Sequence, residues 1–404
     1  MNKILLTSLL YLSIIFGKEL VIVVSFDGFR YDYLDFVQTE HFDSIKKDGS
    51  YAESLIPVFP SLTFPNHYSI ATGAYANKHN ITGNTFYNKS TNSTYSLKDR
   101  FSVENKDFYY SEPIWVTAEK QNIKSAIFFW IGSEAPINNI RPSIYKNYDG
   151  SVPYKARIDS AIKWIQMPKL DAPNFVMLYF DEPDHSGHDY GPSSLEVIEK
   201  IKLCDNTLGY LINNLKKINR WNSTNLIVLS DHGMESVDLN KLIIIDDYFD
   251  YLNPSNFEGS GAIMQIRLND NQIKYYDDIY NTLIEIRYLN AYTKKTIPKR
   301  YNFINFNTAD FIIVANPGAF LTTQTILKKK SITLKGMHGY DPNYKNMHSI
   351  FIAHGPNIKR GIVIPSFENI HIYPFLCKLL NIEPYFNLVD GPDGKIEVLE
   401  TIIK

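Results

Sequence analysis

Three short apolar runs in this chain each lead into an acidic residue, and two of them lead into histidine as well. Residues 20–24 precede Ser25-Phe26-Asp27-Gly28. Residues 175–179 precede Phe180-Asp181-Glu182-Pro183-Asp184-His185-Ser186-Gly187-His188, and residues 226–229 precede Ser230-Asp231-His232-Gly233. Each run is β-branched or aromatic and of strand length, so each reads as a buried strand. Further strand candidates at 126–130, 311–315 and 349–353 alternate with helical patterns at 114–121, 155–166, 195–218 and 372–380. Such alternation predicts an α/β fold: a doubly wound, mainly parallel sheet with helices on both faces. In sheets of this kind the site lies beyond the carboxyl ends of the strands, where these carboxylates and imidazoles fall. Residues 238–300 have weaker periodicity and no clear ligands, and read as a small inserted lobe. A single catalytic domain over 18–404 is the simplest partition.

The chain has 404 residues, 44% hydrophobic and 21% charged, with a formal net charge of −2. That balance supports a sizeable core and gives no electrostatic footprint for duplex nucleic acid or a polybasic membrane face. Residues 1–17 read as a signal peptide: Lys3, a short apolar stretch over 4–16, then Gly17. That stretch is too short for a comfortable membrane span, and no other is long and apolar enough. The expectation is secretion with no transmembrane anchor beyond the signal. Four Asn-x-Ser/Thr sequons agree with it, at Asn80, Asn88, Asn92 and Asn222, the first three close enough to suggest one exposed loop. Cys204 and Cys377 are the two cysteines. They read as buried free thiols or as one disulfide, and in either case the fold must be stable without a disulfide framework.

Asp27, Asp184 and the pair Asp231–His232 all fall at strand exits. An Asp-x-x-x-His spacing brings both side chains to one face if the segment is helical, and the sequence offers two overlapping versions, Asp181/His185 and Asp184/His188. Downstream, Gly336-Met337-His338-Gly339 adds an imidazole with glycines on both sides, which permit close backbone approach. Mixed carboxylate and imidazole ligands suit zinc better than magnesium or calcium. So many candidate ligands imply two ions, an arrangement that clamps the attacking and leaving oxygens of a phosphoryl displacement. Ser61 and Thr63 sit in a Pro-punctuated turn just before a helical pattern. A hydroxyl at a helix start, beside free N–H groups, is placed to act as nucleophile and to hold phosphate.

Six segments carry a more specific signal: residues 23–30, 60–68, 112–115, 182–188, 230–234 and 337–340. In this order they resemble the ectonucleotide pyrophosphatase/phosphodiesterase family of the alkaline phosphatase superfamily, across nearly the whole chain. The resemblance implies a fold of alkaline phosphatase type. It makes Thr63 the nucleophile, with Asp27, Thr63, Asp231 and His232 on one Zn²⁺ and Asp184, His188 and His338 on the other. Asp181 and His185 then take supporting or surface roles. Asn84 matches a donor to a phosphate oxygen, helped by a backbone N–H near Phe64. Phe64, Tyr148 and Tyr179 resemble positions that hold a nucleobase, and Lys98 or Arg100 is a looser match for a distal phosphate. The implied activity is hydrolysis of nucleotide phosphodiester or pyrophosphate bonds through a phospho-threonine, releasing nucleoside 5′-monophosphates. The implied partner is a small nucleotide or dinucleotide. A choline-phosphodiester hydrolase of the same fold is the alternative, and a catalytically inactive nucleotide binder a third reading.

Overall fold

The computed structural model describes residues 19–329 and 332–404; the expected signal peptide lies outside the described residues. The strands of the central sheet are β1 (Leu20–Phe26), β2 (Ser50–Ala52), β3 (Ser125–Phe128), β4 (Ile144–Lys146), β5 (Phe175–Phe180), β6 (Thr224–Leu229), β7 (Phe351–His354) and β8 (Ile362–Ile364). Their order across the sheet is β8-β2-β7-β6-β1-β5-β3-β4. All pairs are parallel except those made by β7, which runs antiparallel to both β6 and β2. β1 is central, with Val21 opposite Phe175 and Ile22 opposite Leu226.

The period-2 geometry of β1 divides the core. Val21 and Val23 pack into one apolar cluster with the helices α1 (Thr63–Thr72), α2 (Ile114–Lys120) and α6 (Ile372–Leu380). Leu20, Ile22 and Val24 pack into a second cluster on the opposite face with α3 (Tyr154–Ile165) and α5 (Leu195–Lys217). Both faces of the strand are covered, which is why its sequence is continuously apolar rather than alternating. α4 (Asp184–Tyr190) is a short helix that follows β5 on the site side of the sheet. Among the described residues, no helix is long and apolar enough to cross a membrane.

The lobe is larger than its weak periodicity suggests. It holds a four-stranded antiparallel sheet of Phe257–Ser260, Ile263–Ile266, Phe311–Ala315 and Leu289–Thr293. The run at 311–315 is therefore a strand, but of the lobe rather than of the central sheet, and the lobe continues past residue 300. A third apolar cluster, including Ile266, Ile279, Leu283 and Phe311, stabilises it. A five-residue apolar run carries no information about its partner strand, so its sheet was not legible.

The sequons do not form one exposed loop. Asn92 and Asn222 are exposed, whereas Asn80 and Asn88 are buried. Asn80 accepts a hydrogen bond from Asn307 (2.6 Å), and Asn88 accepts from the Ser90 N–H (2.9 Å). Asn80 ends a short helix with a left-handed backbone (φ 67°), and Asn88 closes a local turn through its side chain. Cys204 and Cys377 are buried and free, which settles the pairing that their sequence context left open.

Candidate active site

The three central strands deliver their carboxylates to one point. Asp27 follows β1 directly, Asp231 follows β6 by two residues, and Asp184 opens α4 after β5. The Asp27 and Asp231 side chains are almost fully buried. Gly28 makes this convergence feasible: its φ is +65°, and a Cβ there would stand 2.7 Å from the Asp184 Cβ. Gly336 has the same role beside His338, because a Cβ there would lie 2.2 Å from the Gly187 carbonyl oxygen.

Helical geometry decides between the overlapping Asp/His pairs. α4 begins at Asp184, so Asp184 and His188 share a face, with Oδ2 and Nε2 3.6 Å apart. His185 points to solvent beside Asp189 at 3.6 Å, and Asp181 pairs with Arg157 at 3.2 Å. His338 Nε2 lies 3.5 Å from Asp184 and 3.1 Å from His188 Nε2. His232 Nε2 lies 3.0 Å from Asp231 and 3.4 Å from Asp27. The His232 and His338 rings stack at 3.6 Å, which brings the two groups side by side.

The three imidazoles share one arrangement. Nδ1 of His188, His232 and His338 donates to the carbonyls of Gly336, Gly233 and Ser61 (2.8, 2.9 and 2.9 Å). Each Nε2 therefore faces inward, as in a metal ligand whose outer nitrogen is anchored, although burial of His232 is outweighed by the Asp231 carboxylate, which raises its proton affinity. Asp27 Oδ1, Asp184 Oδ1 and Asp231 Oδ2 are buried without a hydrogen-bond donor. The sets Asp27/Asp231/His232 and Asp184/His232/His338 are candidate metal-binding groups among the described residues. Lone pairs and orphaned carboxylate oxygens facing one another fit divalent cations.

Electrostatics agree. Burial, and then the charges of Asp231 and Asp184, push the Asp27 carboxyl well above its usual range. Burial would also raise Asp231, but His232 and His67 beside it hold it well below. Burial drives His338 strongly down, helped by His232 and His188.

Thr63 is the first residue of α1, and its Oγ1 is 3.2 Å from His232 Nε2. Ser61 is turned away and donates to the Tyr340 carbonyl (2.7 Å). Asn84 faces Thr63 across the site, and its Oδ1 accepts the Phe64 N–H at 3.1 Å. That N–H is thus engaged with Asn84 rather than free for a phosphate oxygen, a correction to the sequence reading. The bond fixes the amide, leaving Nδ2 as the donor group Asn84 can offer.

Beside Thr63 opens a cavity of ≈ 330 Å³ walled by aromatic rings, among them Phe64, Tyr95, Trp130, Tyr148 and Tyr179. Tyr148 is half exposed at its edge. Tyr179 has a second attachment, its hydroxyl donating to Asp27 Oδ2 at 2.5 Å. Arg100 also lines this cavity, but Glu104 and Glu134 hold its guanidinium. Lys98 is exposed and lines neither this cavity nor the one beside His188 and His338, so of the two cations only Arg100 lines the site, and it is already paired.

Two residues escaped the sequence reading. His67 hydrogen-bonds the Thr63 carbonyl (3.0 Å) and the Ser25 hydroxyl (2.8 Å) and lies 3.3 Å from Asp231. Its spacing of four from Thr63 on a helix was the available signal. Glu134 is almost buried and accepts the Tyr148 N–H at 3.2 Å while holding Arg100. Nothing local in the sequence marks that role.

The family model described as type I phosphodiesterase / nucleotide pyrophosphatase matches residues 21–341. A venom phosphodiesterase of Naja atra is 37% identical over 393 residues, covering 95% of this chain and 46% of the relative. Ectonucleotide pyrophosphatase/phosphodiesterase family member 1 of Homo sapiens is 38% identical over 389 residues, covering 94% and 41%. The chain thus spans about half the length of the curated relatives it matches. Among solved structures, an inactive threonine-to-alanine variant of murine ectonucleotide pyrophosphatase/phosphodiesterase 5, in complex with AMP, superposes with a TM-score of 0.87. It is 32% identical, and the match covers 96% of this chain and all of that one. The doubly wound, mostly parallel sheet expected from the sequence is shared with it.

Proposed function

This chain belongs to the type I phosphodiesterase / nucleotide pyrophosphatase family, and from that premise we propose that it is a secreted, zinc-dependent hydrolase of nucleotide phosphodiester or pyrophosphate bonds. The observation that carries the proposal is Thr63 Oγ1, set at a helix start, 3.2 Å from His232 and open to an aromatic cavity. Asp27, Thr63, Asp231 and His232 would hold one Zn²⁺, and Asp184, His188 and His338 the other. When bound there, zinc supplies Lewis-acid charge at phosphoryl oxygens and lowers the pKa of a coordinated hydroxyl or water.

The chain's own groups account for the rest. The Thr63 oxygen attacks phosphorus, forming a P–O bond as the bond to the leaving oxygen breaks. The Asn84 amide, oriented by the Phe64 N–H, donates to a non-bridging oxygen as its charge grows. Phe64, Tyr148 and Tyr179 receive the nucleoside, with stacking worth ~1–3 kcal/mol and tolerant of base identity. Water then displaces Thr63 from phosphorus and releases a nucleoside 5′-monophosphate. Among the cavity-lining residues described, no unpaired cation is available to neutralise a monoester dianion, so diesters are the expected substrates. The AMP complex of the murine neighbour supports nucleotide binding. The venom relatives, together with the signal-like first residues, support secretion.

A p-nitrophenyl nucleotide diester, p-nitrophenyl phosphate and p-nitrophenyl phosphocholine separate the readings. The proposal expects the nucleotide diester to be hydrolysed fastest and chelation to stop the reaction. Faster monoester hydrolysis overturns it, and faster phosphocholine hydrolysis moves the chain to the choline-phosphodiester branch.

A further inference from the structure

The site has a second cavity, of ≈ 260 Å³, on the side of His188 and His338. It shares Asn84 with the aromatic cavity, whereas Thr63 and Phe64 line only the latter. A substrate held at Asn84 can therefore extend both ways. In an in-line displacement the leaving oxygen departs opposite the nucleophile. Thr63 stands with Asp27, Asp231 and His232, so departure is toward the neighbouring group of Asp184, His188 and His338.

We infer that this second cavity receives the leaving group, and that its lining selects an uncharged, hydroxyl-bearing one, a nucleoside, over inorganic pyrophosphate. The inference rests on the phosphodiesterase reading above. The lining offers hydroxyls and an amide from Thr82, Thr85, Ser260 and Gln265. Apart from the imidazoles, Glu258 is the charged side chain among the described residues that line it, and no Lys or Arg does. Glu258 is paired with Arg267 (2.5 Å), which also donates to the Asn307 carbonyl (2.7 Å). Arg100, the cation of the aromatic cavity, is held by Glu104 and Glu134.

Beyond a Zn²⁺ held by Asp184, His188 and His338, pyrophosphate entering this cavity would meet no Lys or Arg in the lining, so its distal phosphate would give up water and counterions with nothing to replace them. A nucleoside leaving through its 3′-oxygen needs only hydrogen bonds and apolar contact, and Ile263, Met264 and Met337 supply the latter. In that reaction the Thr63 hydroxyl gives its proton to water as its oxygen–phosphorus bond forms, the phosphorus–3′-oxygen bond breaks, and the leaving oxygen takes a proton from water, so the step is proton-neutral overall.

Thr85 and Ser260 are exposed, so Thr85→Arg and Ser260→Arg add a cation without disturbing the core. The measurement is kcat/KM for a dinucleoside monophosphate against ATP, in wild type and in each variant. Affinities of the same two compounds are measured by calorimetry on the Thr63→Ala background. The wild type is expected to favour the dinucleoside monophosphate by ~10-fold or more, and each arginine to narrow the ratio by ~10-fold, in turnover and in binding. Equal or better use of ATP by the wild type, or ratios unmoved by both arginines, overturns the inference and leaves the phosphodiesterase reading intact. If neither nucleotide binds or turns over while p-nitrophenyl phosphocholine is hydrolysed, the nucleotide reading falls and the inference with it.

Discussion

Tyr179→Phe removes one oxygen from the aromatic cavity and leaves the ring that walls it. The lost hydroxyl is the donor to Asp27 Oδ2 at 2.5 Å, on a carboxylate that is 2% exposed and whose Oδ1 has no donor at all. A hydrogen bond to a charged group contributes ~1.5–3 kcal/mol. If that energy serves to keep Asp27 ionised and aimed, its loss raises the proton affinity of a residue that burial already pushes upward. The expected cost falls on metal retention, by ~10–100-fold, the usual penalty for removing a partner of a ligand. The assay is metal content per chain after dialysis against graded chelator, followed by hydrolysis of a p-nitrophenyl nucleotide with and without added zinc. The variant should release metal at lower chelator concentration and regain most of its activity when zinc is supplied in excess. A release midpoint equal to wild type would show that the Tyr179 hydroxyl does not support Asp27 as a ligand. Activity lost at every zinc concentration would instead place the Tyr179 hydroxyl, and not only its ring, on the substrate.

Thr63→Ala should reduce turnover by ~10³-fold or more with an unchanged circular dichroism spectrum, while Thr63→Ser keeps measurable activity. A near-wild-type rate in the alanine variant would remove Thr63 as the nucleophile. Purified protein should carry about two zinc ions per chain and His338→Ala about one. Metal-free protein with full activity would contradict both ligand sets. Burial lowers the pKa of His79 to about 3, so below pH 6.5 the unfolded chain binds a proton that the folded chain refuses. Stability from this group is complete above pH 6.5 and falls as pH drops toward 3, by ~2 kcal/mol at pH 5. Chemical denaturation of His79→Gln across pH 4–7 should show a shallower loss than wild type. Parallel curves would show that His79 is not the buried neutral group described.

The parts of this molecule legible in sequence are those fixed by local periodicity. The strand pattern at 20–24 became Leu20–Phe26, and the helical pattern at 195–218 became Leu195–Lys217, because continuous burial and helical amphipathy are written in short windows. The choice of Asp184/His188 over Asp181/His185 depended on where the turn after Phe180 starts its helix, which spacing cannot specify. Partnerships distant in the chain were hidden. Phe311–Ala315 was visible as a strand but not as a neighbour of Ile263–Ile266. Arg100 looked free until Glu134, distant in sequence, was seen to hold it. Asn80 and Asn88 read as surface acceptors and proved to be buried turn residues. His67 is a near neighbour of Thr63, yet its contact with Asp231 forms only when β6 and α1 are brought together.

In the proposed reaction Thr63 becomes covalently linked to the nucleotide during turnover. Rapid acid quench of the zinc-loaded protein with a p-nitrophenyl nucleotide, followed by peptide mass spectrometry, tests it directly. A nucleotidyl adduct is expected on the peptide containing Thr63, absent from the Thr63→Ala protein. An adduct on another residue, or rapid release of nucleotide by Thr63→Ala, would contradict it.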